Sequence, residues 1–91
     1  MLDELLILKK IKGGDIKAFE ELFRRYYFPL CCYAAGITGQ MEVAEEIVEE
    51  LFYVLWKERE RLQIFQSVKS YLYRATRNQS LQYCEHEEVR N

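Results

Sequence analysis

Residues 43–56 read VAEEIVEELFYVLW, and this stretch decides the fold class of the chain. Its apolar side chains recur every three or four residues, which is the spacing of an amphipathic α-helix and not the alternation of a strand. The opposite face is acidic and carries no basic side chain between residues 42 and 50. Carboxylates four residues apart repel, and each pair destabilises an isolated helix by about 0.2–0.5 kcal/mol. We therefore predict that this face serves a basic partner, and its members are Glu42, Glu45, Glu46, Glu49 and Glu50.

The composition indicates a single small domain. The chain has 91 residues, of which 49% are hydrophobic, and its one Pro and four Gly predict long helices with few breaks. A net charge of −2 argues against a protein that holds DNA by charge alone. No apolar run approaches the ~20 residues of a membrane span, no basic signal region follows Met1, and the three cysteines form no disulfide framework. We therefore expect a cytoplasmic protein without a membrane partner.

The apolar spacing predicts an all-α fold, a compact bundle of about four helices in which the third and fourth are long. Asp15 and Ser67 are good N-caps for the second and fourth helices. Pro29 lies inside the second helix and is expected to kink it or to remove one hydrogen bond. The four helices are predicted at about residues 3–12, 15–36, 40–59 and 68–87.

The expected core joins the third and fourth helices to the second. Cys31 and Cys32 are predicted to be small buried side chains in that core. The packing contacts are expected from Phe19, Phe23, Ile47, Leu51, Leu55 and Leu72.

The sequence offers no arrangement typical of an enzyme, a metal site or a cofactor site. A di-iron bundle needs Glu-x-x-His pairs, and the only histidine, His86, follows Tyr83 at that spacing. Zinc ligation by Cys31, Cys32, Cys84 and His86 is disfavoured, because adjacent helical residues point about 100° apart and no Cys-x-x-Cys pair occurs. We expect neither catalysis nor a cofactor.

Residues 57–77 form a basic stretch in which the aromatic side chains Phe65, Tyr71 and Tyr73 are interleaved. Single-stranded nucleic acid is bound by this combination, since bases stack on rings while cations follow the backbone. Composition alone favours the simpler interpretation, a solvated face of mixed charge over a tyrosine-rich core. The basic members are Lys57, Arg59, Arg61, Lys69, Arg74 and Arg77.

Three segments together resemble one family. Residues 14–27 (GDIKAFEELFRRYY) look like the opening of region two, the core-binding and promoter-melting domain, of bacterial RNA polymerase sigma factors of the extracytoplasmic-function group. Residues 44–56 resemble the core-binding helix of that group, and residues 70–78 (SYLYRATRN) resemble its promoter-melting helix. The similarity spans roughly residues 13 to 84, with the segments in the family's order and spacing.

The resemblance implies two partners, RNA polymerase core through the clamp helices of its β′ subunit, and the non-template single strand of the −10 promoter element. An anti-sigma factor is a further partner found in the family. Polymerase contacts are implied for Glu46, Glu49 and Glu50, with Leu51 and Phe52 beside them or in the core. DNA contacts are implied for Ile64, Phe65 and Gln66 in a loop that captures a flipped base, and for Lys69, Tyr71, Arg74, Arg77 and Asn78 on the following helix.

The chain also departs from the family pattern. Position 49 is usually Gln in the family and is Glu here, and the fourth helix ends on Glu85, Glu87 and Glu88 where basic residues are common. No second, helix-turn-helix domain is visible, so we expect residues 1–91 to be a single region-two domain, excised or naturally short. A helical protein-interaction module without a DNA role, either a degenerate sigma-like domain or a dimerising bundle, is the alternative.

Overall fold

The computed structural model describes residues 2–63 and 67–90, and every regular element within these ranges is a helix. The helices are α1 (Leu2–Lys12), α2 (Ile16–Thr38), α3 (Met41–Lys57) and α4 (Val68–Arg90), and a 3₁₀ turn covers Arg59–Arg61. The predicted all-α bundle of about four helices is confirmed. The longest helices are α2 and α4, with 23 residues each, whereas α3 has 17. In the described part of the chain, no helix has both the length and the apolar character of a membrane span.

Short polar signals set the helix starts. The Asp15 carboxylate accepts hydrogen bonds from the backbone N–H groups of Lys17 and Ala18, at 3.0 and 3.2 Å, and so satisfies two donors at the start of α2. The Ser67 hydroxyl oxygen accepts a bond from the Ser70 N–H at 3.1 Å at the start of α4. Both predicted caps are confirmed.

The predicted end of α2 at Ala35-Gly36 is wrong. Gly36 stays helical, and the helix continues to Thr38. Gly39 ends it, because this residue takes the left-handed conformation (φ 78°) and its N–H donates to the Ala35 carbonyl at 2.8 Å. Glycine is the residue that adopts this conformation without a steric penalty. Pro29 lies inside α2, as predicted.

The core is arranged around α2, which contacts each of the other three α-helices. Phe52 is 1% exposed, and its ring lies against Phe19 (centroids 6.1 Å apart) and Phe23 (5.0 Å) in edge-to-face geometry. Leu55 and Leu72 are buried as predicted, whereas Phe19, Phe23 and Leu51 are only partly buried. The prediction of Ile47 as a core contact is corrected, because the buried row of α3 consists of Ala44, Val48, Phe52 and Leu55.

The first helix is attached to α2 by a polar cluster. The Arg25 guanidinium pairs with Asp3 (3.3 Å), Glu4 (3.4 Å) and Glu21 (2.8 Å). The Tyr26 hydroxyl donates to the Glu4 carboxylate at 2.7 Å. Burial, together with this bond, raises the pKa of Tyr26 to about 12. The cluster therefore favours the neutral phenol in the folded state.

This raised pKa predicts a loss of stability at alkaline pH. Above pH ~10 the unfolded phenol loses its proton while the folded one keeps it, so the free energy of unfolding falls until the folded pKa is passed. In Tyr26→Phe this contribution is absent, and the variant should lose about 1–2 kcal/mol less than wild type between about pH 9 and pH 11.5. Urea denaturation at both pH values measures the difference. Tyr53→Phe, at an exposed position, is the control, and equal losses in all three proteins would contradict the prediction.

Candidate functional site

The polar face of α3 is acidic. Glu42, Glu45, Glu46, Glu49 and Glu50 are all exposed. Across residues 2–63 and 67–90, none of these carboxylates makes an ion pair. No cation of the described part of the chain therefore relieves the repulsion between carboxylates four residues apart.

The structure divides the three acidic residues among the predicted polymerase contacts between two sides of α3. Glu49 faces α2, where its carboxylate accepts a hydrogen bond from the Tyr27 hydroxyl at 3.0 Å. Burial and this bond raise the pKa of Tyr27. An amide oxygen also accepts such a bond, although more weakly than a carboxylate, so Tyr27 can donate to either Glu or Gln at position 49. Glu46 and Glu50 lie on the other side, toward α4.

An apolar groove runs between α3 and α4, with Glu46 and Glu50 among its lining residues and a volume of about 380 Å³. Leu51, a predicted polymerase contact, also lines it, whereas Phe52 lies in the core. The sequence prediction missed this groove. The sequence does carry a signal for the groove. The apolar stripe of α3 is wider than the part that the core covers, so a second row of apolar residues lies beside the buried row. The remaining lining residues are Val43, Ile47 and Val54 on α3 and Gln79 and Tyr83 on α4.

Three of the cations in residues 57–77 make contacts with other groups of the molecule. Arg59 lies over the Trp56 ring, with its guanidinium carbon 4.3 Å from the ring centroid, and donates to the Trp56 carbonyl at 2.9 Å. Arg61 pairs with Glu58 at 3.4 Å. Lys57 lies over the Tyr53 ring at 6.0 Å. These contacts stabilise the C-terminal end of α3, so the stretch is not one continuous cationic surface.

The other three cations form an unpaired group on α4. Lys69, Arg74 and Arg77 are exposed, and no described residue makes an ion pair with them. No acidic residue occurs from Ser67 to Cys84. We call Lys69, Arg74 and Arg77 the cationic face of α4.

Tyr71, Arg74 and Asn78 follow one another at i, i+3 and i+7, which places them on one side of α4. Asn78 is exposed, so its amide is available to a ligand. Tyr71 is half-buried and packs against the core, and it presents only part of its ring to solvent. The predicted base-capturing residues Ile64, Phe65 and Gln66 lie outside the described residues.

The cysteines differ in exposure. Cys31 is buried, but Cys32 is exposed, so the prediction that both lie in the core is wrong for Cys32. Consecutive residues of a helix point about 100° apart, and α2 turns only one of the two inward. The Cys84 thiol donates a weak hydrogen bond to the Ile37 carbonyl at 3.4 Å and joins α4 to the end of α2.

Comparison with known proteins identifies one family. A family model described as Sigma-70 region 2 matches residues 22–88, which include most of α2 and all of α3. A search of curated proteins and a search of solved structures gave no match. Helix α1 lies outside the matched residues.

Proposed function

Since the chain belongs to the sigma-70 region 2 family, whose non-enzymatic members act in transcription initiation with RNA polymerase core and promoter DNA, we propose two specific roles for its surfaces. The face of α3 that contains Glu46 and Glu50 docks on the clamp helices of the β′ subunit. The cationic face of α4 holds the non-template strand of a melted −10 element. The extracytoplasmic-function group is the proposed subgroup, on the basis of the three segments that resemble it.

The charge distribution carries this proposal. The exposed carboxylates of α3 and the exposed cations of α4 make no ion pair with any described residue, whereas the cations of residues 57–61 make intramolecular contacts. Opposite charges that stay separate in a small domain offer two surfaces to two partners of opposite sign.

The α3–α4 groove supports the polymerase contact. A groove with an apolar wall and carboxylates at its edge fits a helix that presents apolar side chains flanked by basic ones. Glu46 and Glu50 would meet the basic side chains while Leu51 and Val54 contact the apolar ones. Glu49 contributes from the α2 side, where Tyr27 orients its carboxylate.

Titration of the domain with a β′ clamp-helix fragment tests the polymerase contact. We expect a saturable complex whose affinity falls as salt is raised, because charge complementarity between exposed groups is screened by salt. If no complex forms at low salt, the result would contradict the docking proposal.

The α4 surface predicts how two substitutions affect DNA binding. Asn78→Ala should reduce the preference for the −10 sequence in a non-template oligonucleotide, because the amide supplies both a donor and an acceptor to a base edge. Tyr71→Ala should weaken binding by about 1–3 kcal/mol if its ring stacks on a base. Fluorescence anisotropy measures both effects.

Controls separate contact from folding. Tyr71 packs against the core, so the melting temperature of its variant must be measured beside its affinity, and Tyr71→Phe should keep both. Gln82→Ala, at another exposed position of α4, should bind as wild type. If Asn78→Ala keeps the full sequence preference, α4 does not read the strand and the interaction-module alternative is favoured.

A further inference from the structure

Helix α1 carries an exposed lysine group that no predicted contact uses. Lys9, Lys10 and Lys12 are exposed in the last two turns of the helix. Within residues 2–63 and 67–90, none of them forms an ion pair. Asp3 and Glu4, the two acidic residues of α1, are instead held by Arg25. Among the residues that the structure describes, the acidic end of α1 thus has an ion-pair partner and the cationic end has none.

The packing of α1 joins the helix that carries this group to α4 and to the turn that precedes the α4 connector. Ile7, Leu8 and Ile11 are buried in the shared core, and α1 contacts both α4 and the 3₁₀ turn at Arg59–Arg61. That turn lies just before the connector to α4 in the chain. Because α1 is attached through its apolar side and through the Arg25 cluster, its lysines are held at a fixed place on the bundle and are not on a free tail.

We propose that Lys9, Lys10 and Lys12 form a second phosphate-binding surface, which contacts the backbone of the same promoter strand beyond the bases held on α4. This proposal rests on the proposed function of α4. Lysine is suited to the role because it is a point charge on a flexible stem, which binds phosphate without selecting a base. The surface would add length and affinity to the contact and would leave base preference to α4.

The remaining charge distribution favours a nucleic-acid partner near α4. The C-terminal end of α4 carries Glu85, Glu87 and Glu88, which disfavour a path for phosphates along that end. The Asp15 carboxylate next to the lysine group accepts the N-cap bonds of α2. A strand on α4 is therefore favoured toward the start of that helix, and the acids that precede this start in the chain are Glu58, which pairs with Arg61, and Glu60.

The test compares wild type with the triple variant Lys9→Gln/Lys10→Gln/Lys12→Gln on three single-stranded oligonucleotides. One covers only the −10 hexamer, and the other two extend it on the 5′ or the 3′ side. For one of the two extended oligonucleotides, we expect the slope of the log binding constant against the log salt concentration to become shallower. The change should be about 0.7 for each phosphate that the variant no longer binds. At about 0.1 M salt this corresponds to roughly fivefold weaker binding per phosphate. The hexamer affinity and the base preference should stay as in wild type.

Matched controls keep the comparison specific. The substitutions are at exposed positions, and unchanged circular dichroism melting confirms the fold. The single variant Lys9→Gln is compared with the single variant Lys57→Gln. The Lys57 substitution removes the same charge from α3 and should leave the salt slope of DNA binding unchanged. Vesicles with one-third anionic phospholipid provide a second arm, and lysine-dependent binding to them without any effect on DNA would overturn the proposal in favour of a membrane surface.

Failure of this inference can be told from failure of the proposed function. If the triple variant matches wild type on all three oligonucleotides while Asn78→Ala loses base preference, the lysine surface is wrong and the α4 role stands. If wild type shows no base preference, the α4 role fails and the lysine surface fails with it as a contact to that strand. Loss of base preference in the triple variant would also overturn the inference, because phosphate contacts carry no sequence information.

Discussion

Charge reversal at Glu46 or Glu50 is expected to weaken binding to the β′ clamp fragment by about 1.5 kcal/mol or more, which is about tenfold in Kd. Each substitution would replace an attraction with a repulsion at the edge of the α3–α4 groove. Close charge pairs at an interface are coupled by about 1.5–7 kcal/mol, so Glu46→Lys together with Glu50→Lys should abolish measurable binding. Isothermal titration calorimetry with the fragment measures the change in affinity.

Glu45→Lys is the matched control for this result. The substitution makes the same charge change on the same helix, but Glu45 does not line the groove. Its effect should be limited to a weaker long-range contribution that disappears with added salt. Melting temperatures of all these variants should stay level or rise, because a repulsive pair of carboxylates becomes an attractive one. Equal affinities for Glu45→Lys and Glu46→Lys would show that the groove is not the docking surface.

Replacing Phe52 with Ala is expected to destabilise the domain by about 3–5 kcal/mol. The ring is 1% exposed and contacts Phe19 and Phe23, so its removal leaves a cavity at the α2–α3 interface. A domain of this size is stable by about 5–14 kcal/mol, from about 0.05–0.15 kcal/mol per residue, and the expected destabilisation is a large share of that.

The neighbouring residue provides the control for Phe52. Tyr53 is also aromatic, but it is 60% exposed and its ring lies beside the Lys57 ammonium at the surface. Tyr53→Ala should therefore cost less than about 1 kcal/mol. Urea denaturation of both variants measures the contrast, and similar destabilisation at the two positions would contradict the placement of Phe52 in the core.

The two proposed surfaces lie on a common support. Helices α3 and α4 both pack on α2, and they also contact each other along the groove. The acidic face and the cationic face are consequently fixed relative to one another. Docking of α3 on polymerase would thus place α4 at a set position for the strand.

Local signals explain why the helices were predictable from the sequence. Asp15 and Ser67 cap helices through bonds to residues two or three positions away, which depend on little else. The end of α2 was mispredicted because Gly36 and Gly39 are both possible ends, and only packing shows which of them leaves the helix. Gly36 stays helical within α2, and Gly39 takes the positive φ.

The surfaces were predictable only in part. The acidic face follows from charge of a single sign on one helix, which needs no tertiary information. The groove depends on where α4 lies beside α3, and periodicity alone did not separate Ile47 in the groove from Val48 in the core. Likewise, the sequence shows Arg59 as a free cation, while the fold uses it against Trp56.

Fluorescence anisotropy with a labelled non-template −10 oligonucleotide and with its duplex, added to the clamp-bound domain, is the most direct test of the promoter role. The cationic face of α4 has only three exposed cations, so the salt dependence of binding is expected to be modest. Each phosphate contact adds about −0.7 to the slope of the log binding constant against the log salt concentration. We predict tighter binding of the single strand than of the duplex, with measurably weaker binding when −10 bases are replaced. Equal affinity for both forms, without base preference, would contradict the role of α4 as the strand-holding helix.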